Sequence, residues 1–112
     1  ERHALEALQE VVAPIKRLCF SGGGSTSELW SQIMADVTGL PVSVPVSSES
    51  TALGAAIVAA VAVGEFADFR SAVAAMSKTA REHEPNEADS IAYEAAYQAY
   101  LRTLAQMKGT DD

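Results

Sequence analysis

The residues with the strongest claim on chemistry lie in "CFSGGGSTSELWSQ", Cys19 to Gln32, where Gly22, Gly23 and Gly24 follow an apolar run and precede a helical pattern. A strand, a glycine turn and a helix start make a ready anion or nucleotide site. Glycine lets a ligand come against the backbone, and the helix start offers N–H groups that no helical carbonyl takes. A Walker-type phosphate loop needs a Lys beside Ser or Thr after the glycines, and none is present. A nucleophile elbow needs G-x-S-x-G, which neither Ser21 nor Ser25 satisfies. The dinucleotide fingerprint G-x-G-x-x-G is met at Gly22 and Gly24 but has Ser27 in the third place. Glu49 stands near the end of the following strand, where a ribose-binding acid could sit. A tight turn that holds no ligand is the remaining reading of the pattern alone.

Other chemistry-bearing residues are sparse. Cys19 is the one cysteine, so no internal disulfide can form, and its place beside Phe20 predicts a buried, inert thiol. His3 and His83 lack ligand spacing, so no metal site is readable. The net charge of −7, from 15 acidic and 8 scattered basic residues, argues against a nucleic-acid partner, which would demand clustered Lys and Arg. The longest apolar run, Ala52 to Val63, is 12 residues, short of the roughly 20 needed to cross a bilayer. The polar, acidic start carries no signal-peptide pattern, which points to the cytoplasm. Glu1 falls within a helical pattern already under way, so the chain is expected to be a piece of a longer protein.

The elements that would position the turn follow from periodicity. "HALEALQEVV" reads as an amphipathic helix ended by Pro14, and "IKRLCF" as a strand. Ser25 is the expected N-cap of the next helix, with Glu28 completing a capping box. Leu29, Ile33 and Val37, widened by Trp30 and Met34, form its expected buried seam, while Gln32 and Asp36 lie on a more polar side. Gly39 and Pro41 end it. "VSVPV" alternates as a strand that lies at an edge or stops at Pro45. The helix after it, capped by Ser48, Ser50 or Thr51, is almost wholly Ala, Val, Ile and Leu, and should be buried on most sides. Asp68 caps a further helix. "TAREHEPNEADS" reads as a polar loop. Ile91 to Met107 reads as a long helix with a Tyr93, Tyr97, Tyr100, Leu104 and Met107 packing stripe. The expected fold class is therefore α/β and helix-rich: helix, strand, helix, strand, then three helices. Two strands make a poor sheet by themselves, so the domain is expected to be incomplete.

Taken together, "FSGGGSTSELWSQIMADVTGLPVSVPVSSESTALGAAIVAAV" resembles the C-terminal domain of the FGGY carbohydrate kinases. The resemblance is carried by Gly22, Gly23, Gly24, Trp30, Gln32, Ala35, Asp36, Gly39, Pro41 and Val42, then Glu49, Ala52, Leu53, Gly54, Ala55 and Ala56. The tail is similar too, through Pro85, Tyr93, Tyr97 and Tyr100. It implies an actin-like ATPase (ribonuclease H-like) fold, with residues 1–112 as the C-terminal portion of the nucleotide-binding domain. The implied activity is transfer of the γ-phosphate of ATP, with Mg2+, to a sugar hydroxyl. Gly23 would lie against the adenosine, Gly22 and Gly24 would shape the turn, and Ser27 would reach toward the adenine. Asp36, Glu49 and the "ALGAA" helix would be structural. The catalytic base, metal ligands and most of the sugar pocket would belong to other parts of such a kinase, so the isolated chain is expected to be inactive. "LWSQIMADVTGLPVSVPV" and "REHEPN" are most similar to xylulokinase-type and autoinducer-2 kinase members, which puts a keto-pentose or similar open-chain sugar first. A homodimer is compatible with this resemblance. A dinucleotide-binding oxidoreductase fragment and a non-catalytic helical interaction domain are the alternatives.

Overall fold

The computed structural model describes residues 2–12 and 14–108. The expected placement of Glu1 within a helix lies outside them. Five α-helices and three strands are present among the described residues. Helix α1 spans Arg2–Gln9 and stops before the Val11 and Val12 amides, which bond back to the Leu8 carbonyl. Strand β1 spans only Leu18–Cys19, and the Phe20 amide continues its ladder to the Ser43 carbonyl at 2.9 Å. Helix α2 is Glu28–Thr38, closed by Gly39 in the left-handed region (φ 67°). Strand β2 is Val42–Pro45, α3 Ser50–Ala62, α4 Phe69–Met76, β3 Thr79–His83 and α5 Glu87–Lys108.

The sheet order is β1-β2-β3, with β1 and β2 parallel and β2 and β3 antiparallel. Strand β3 corrects the sequence reading, which placed a polar loop there. Its residues are polar because they are mostly exposed, and they form a strand because Val42, Ser43 and Val44 offer an open ladder edge opposite His83, Glu82 and Arg81. Strand β2 is thus central, and Pro45 ends its regular pairing at a bulge. Of the Val42, Val44 and Val46 face that the alternation predicts, Val42 and Val44 are buried, while Val46, past the bulge, is exposed.

Two helices differ from expectation in what they bury. On α2, Leu29 and Trp30 are exposed, and the buried residues are Ser31, Ala35 and Asp36. The helix turns its small face to β2, β3 and α5, where a small side chain permits close approach. Helix α3 buries only Ile57, with Val58 and Val63 exposed, because its chief neighbour is α4. Its cap also differs. Glu49 is the N-cap position, but its side chain makes no capping bond to the helix, and the Ser47 hydroxyl takes the Glu49 amide. Asp68 caps α4 as expected, accepting from the Ser71 amide at 2.7 Å, a bond that holds its carboxyl below the usual range.

Helix α1 is fastened to α5 by polar contacts. Arg2 bridges Glu6 and Glu94 at 3.0 and 2.7 Å and lies 4.1 Å over the Tyr97 ring. Tyr97 is buried, stacks on Tyr100 and donates its hydroxyl to Glu6. That bond, with burial, pushes the phenol up to about 12, and it lowers the Glu6 carboxyl. Of the expected stripe, Tyr97 packs as its spacing predicts, while Tyr100 and Met107 are exposed. Helix α1 stands away from β1, leaving an apolar cleft of about 340 Å3 lined by Leu5, Leu8, Leu18, Phe20 and Met34 among others. Cys19 opens onto it and is exposed, not buried, since β1 is an edge strand.

Candidate functional site at the glycine turn

The glycine turn is a short 3-10 helix, Gly23–Thr26, between β1 and α2. Each glycine stands there for a different reason. Gly22 has φ 91° and ψ −173°, a conformation open to glycine and costly for L side chains. Its amide donates to the Ser48 carbonyl at 3.2 Å, which ties the turn to the loop before α3. Gly24 sits under a tilted Phe20–Trp30 ring pair, and a Cβ there would come within 3.1 Å of the Phe20 ring. Gly23 has neither constraint: it is exposed, and a Cβ would meet nothing within 4 Å. Among the described residues nothing lies where a side chain at position 23 would go.

The serines close the turn. Ser25, buried, donates both its amide (3.0 Å) and its hydroxyl (2.7 Å) to the Gly22 carbonyl. The Thr26 hydroxyl donates to the Gly23 carbonyl at 2.7 Å. Ser27, not Ser25, is the N-cap of α2, accepting from the Trp30 amide at 3.2 Å. The 3-10 turn takes up Ser25, so the helix begins two residues later than the capping-box pattern predicts. Glu28 is thereby released from the box and pairs with Arg81 at 3.3 Å. The hydroxyl of Ser27 keeps its own hydrogen for a further acceptor, because capping uses only a lone pair. Ser27 is exposed beside the open space over Gly23. The four residues predicted for the site therefore share one turn.

One residue at the turn was invisible to sequence reasoning. Arg81, on β3, donates from Nη2 to the Ser25 carbonyl at 2.7 Å. Asp36, expected on a polar side, is buried and accepts from the Asn86 amide (2.7 Å) and Gln32 Nε2 (2.9 Å). Gln32 also donates to the Glu84 carbonyl, and its Oε1 faces His83 Nδ1 at 3.2 Å. Since Gln32 spends its donors on Asp36 and Glu84, its oxygen is the acceptor and His83 Nδ1 carries the proton. These bonds fasten the β3–α5 connection onto α2. A missed strand hides such partners, because Arg81 and His83 acquire meaning only through β-register.

Glu49 is exposed, and the sheet around it contains an antiparallel pair. A parallel dinucleotide-binding frame with Glu49 beside a ribose pocket is not what this chain forms. The turn is likewise not buried in a helical core. Neither alternative reading of the sequence finds support. Among the described residues no three His, Cys, Asp or Glu come together as a metal set, and no helix is long and apolar enough to cross a membrane.

Comparison with known proteins agrees with this geometry. Residues 1–63 match the C-terminal domain of the FGGY family of carbohydrate kinases. An autoinducer-2 kinase of Salmonella paratyphi B is 47% identical over 95 residues, covering 85% of this chain and 18% of the relative. One from Yersinia enterocolitica is 49% identical over 80 residues, covering 71% of this chain and 14% of the relative. A xylulose kinase from Rhodospirillum rubrum superposes with TM-score 0.78 at 29% identity, over 97% of this chain and 22% of that one. A xyloylose kinase from Brucella ovis gives 0.82 at 32%, over 98% and 22%. The chain thus spans about a fifth of the length of the proteins it matches. With residues 1–63 matching the family and the fold shared with its solved members, the chain belongs to the FGGY family of carbohydrate kinases.

Proposed function

We propose that residues 1–112 are the C-terminal portion of the nucleotide-binding domain of an ATP-dependent sugar kinase, and that Gly22, Gly23, Gly24 and Ser27 form the adenosine side of its ATP site. The observation that carries this is Gly23. It is a glycine with open space at its Cβ position, beside an aromatic-propped turn and a serine with a hydroxyl hydrogen to give. Backbone bare of a side chain is what a flat purine–ribose surface requires for close approach. Bound ATP would supply the phosphoryl group, with Mg2+ neutralising its charge. The residues here would bind and orient the adenosine end: Gly23 as a flat wall, Ser27 as a donor to a ring nitrogen.

The radius of gyration, 18.0 Å, supports the incomplete-domain reading. A self-contained domain of this length would have about 13 Å. The exposed surface is 7720 Å2, against roughly 5,900 Å2 for a folded monomer of this mass. The exposed apolar face of α3 points the same way. Catalytic base, metal ligands and most of the sugar pocket would come from the rest of the kinase, in the cytoplasm. The relatives' names favour a keto-pentose or similar open-chain sugar as substrate.

The test is Gly23→Val in the complete kinase. The Michaelis constant for ATP should rise about tenfold or more, as expected when a well-fitted contact surface is blocked, with that for the sugar nearly unchanged. Equal loss on both substrates would sink the adenosine role. The isolated 112-residue chain should show no sugar-dependent ATP turnover, checked by ADP release with and without sugar.

A further inference from the structure

We propose that Arg81 is a positioning residue for the nucleotide wall: from β3 it clamps the glycine turn in the shape that keeps the surface over Gly23 open. This rests on the adenosine reading above and extends it to a residue outside the matched span 1–63. The Ser25 carbonyl would otherwise be an awkward group. Ser25 is buried, its amide and hydroxyl both turn back to Gly22, and its carbonyl is the group that Arg81 Nη2 takes at 2.7 Å. The other arm, Nη1, reaches Glu28 at 3.3 Å in the first turn of α2. One planar guanidinium therefore spans the 3-10 turn and the helix start, and sets the angle between them. That angle fixes Ser27, the residue between, and with it both the Trp30 cap and the hydroxyl offered to the ligand. Strand β3 supplies a firm base, since Val44 pairs with Arg81 in register on central β2. Arg17 pairs instead with Glu82, the next residue along β3, at 3.0 Å, and strand alternation points Glu82 to the face opposite Arg81.

The test uses the complete kinase with Arg81→Ala, Arg81→Lys and, as control, Arg17→Ala. Deuterium exchange in the peptide covering residues 21–28 should quicken about tenfold in Arg81→Ala, the scale of a lost charge-assisted hydrogen bond at a partly exposed site. The Michaelis constant for ATP should rise about five- to tenfold on the same grounds, with kcat at saturating ATP and the constant for the sugar unchanged. Arg81→Lys, which keeps the charge but cannot span both acceptors, should fall between, and Arg17→Ala should match the parent. Unchanged turn exchange in a folded Arg81→Ala or Arg81→Lys variant overturns the clamp. So does a parallel fall in kcat and sugar binding, which would mark a merely structural role. Exchange needs no nucleotide, so the two readings separate. If Gly23→Val raises the ATP constant and turn exchange ignores Arg81, only the clamp falls. If Gly23→Val leaves ATP untouched, the adenosine reading falls and takes the nucleotide half of this proposal with it.

Discussion

The glycine turn and helix α3 solve opposite problems within one short chain. The turn is small and polar, and its groups are answered internally: Ser25 by Gly22, Thr26 by Gly23, the Ser25 carbonyl by Arg81, the Gly22 amide by Ser48. Helix α3 is the most apolar element, yet it buries one residue, Ile57, and leans on α4 alone in any strength. A hydrogen bond needs one partner at one angle, so a local segment can satisfy it. An apolar helix needs area on several sides, and 112 residues do not supply it.

The sharpest way to break this contrast is Val58→Asp. Val58 is exposed here. If the rest of the kinase covers α3, the change should cost the complete protein about 3 kcal/mol or more, through an uncompensated buried carboxylate. The isolated chain should lose under about 1 kcal/mol, from helix propensity. Equal effects in both, by urea denaturation, would mean that α3 stays uncovered. Next in size is Asp36→Ala, which strands the Asn86 amide and one Gln32 donor. It should cost about 2 kcal/mol, and exchange should rise first at the start of α5. Gly22→Ala, forced to φ 91°, should cost about 1–2 kcal/mol. Gly23→Ala should be near neutral by the same denaturation, and equal costs would erase the distinction between the glycines.

The smallest effect concerns acid. Tyr97 and Arg2 bonds hold Glu6 below the ordinary value of 4.5, and Gln98 and Arg2 hold Glu94 below it as well. Carboxyls depressed in the folded state stabilise it above their unfolded values and lose that contribution as pH falls through the folded ones. Helix α1 should therefore loosen from α5 below pH 4.5, while residues 22–26, whose bonds among Gly22, Gly23, Ser25, Thr26, Ser48 and Arg81 Nη2 involve no carboxylate, should not. Exchange of α1 and turn peptides between pH 5 and 3, corrected for intrinsic rate, checks it; simultaneous loosening of both would contradict the separation.

Much of the frame was legible in the sequence because local rules wrote it. Gly39 and Asp68 end and begin helices where their chemistry predicts, and Val42 and Val44 alternate into the core. The candidate site residues Gly22, Gly23, Gly24 and Ser27 come together for the same reason, being contiguous. Strand β3 was not legible, because "TAREH" has no apolar alternation: it is made a strand by β2's open edge, a tertiary cause. The α2 seam was misread because Ser31 and Ala35 look unremarkable beside Leu29 and Trp30. Small residues are buried where backbones approach, which periodicity of large side chains cannot reveal. The shift of the cap from Ser25 to Ser27 follows from the 3-10 turn, a geometry that Gly-Gly-Ser-Thr permits without announcing.

Arg81 comes 56 residues after the carbonyl it holds. At about 5–20 residues per second of synthesis, Ser25 is made on the order of 3–11 s before the side chain that holds its carbonyl. The wall is thus written early and set late. A nascent chain ending anywhere between α2 and β3 would carry every glycine of the turn and still lack Arg81.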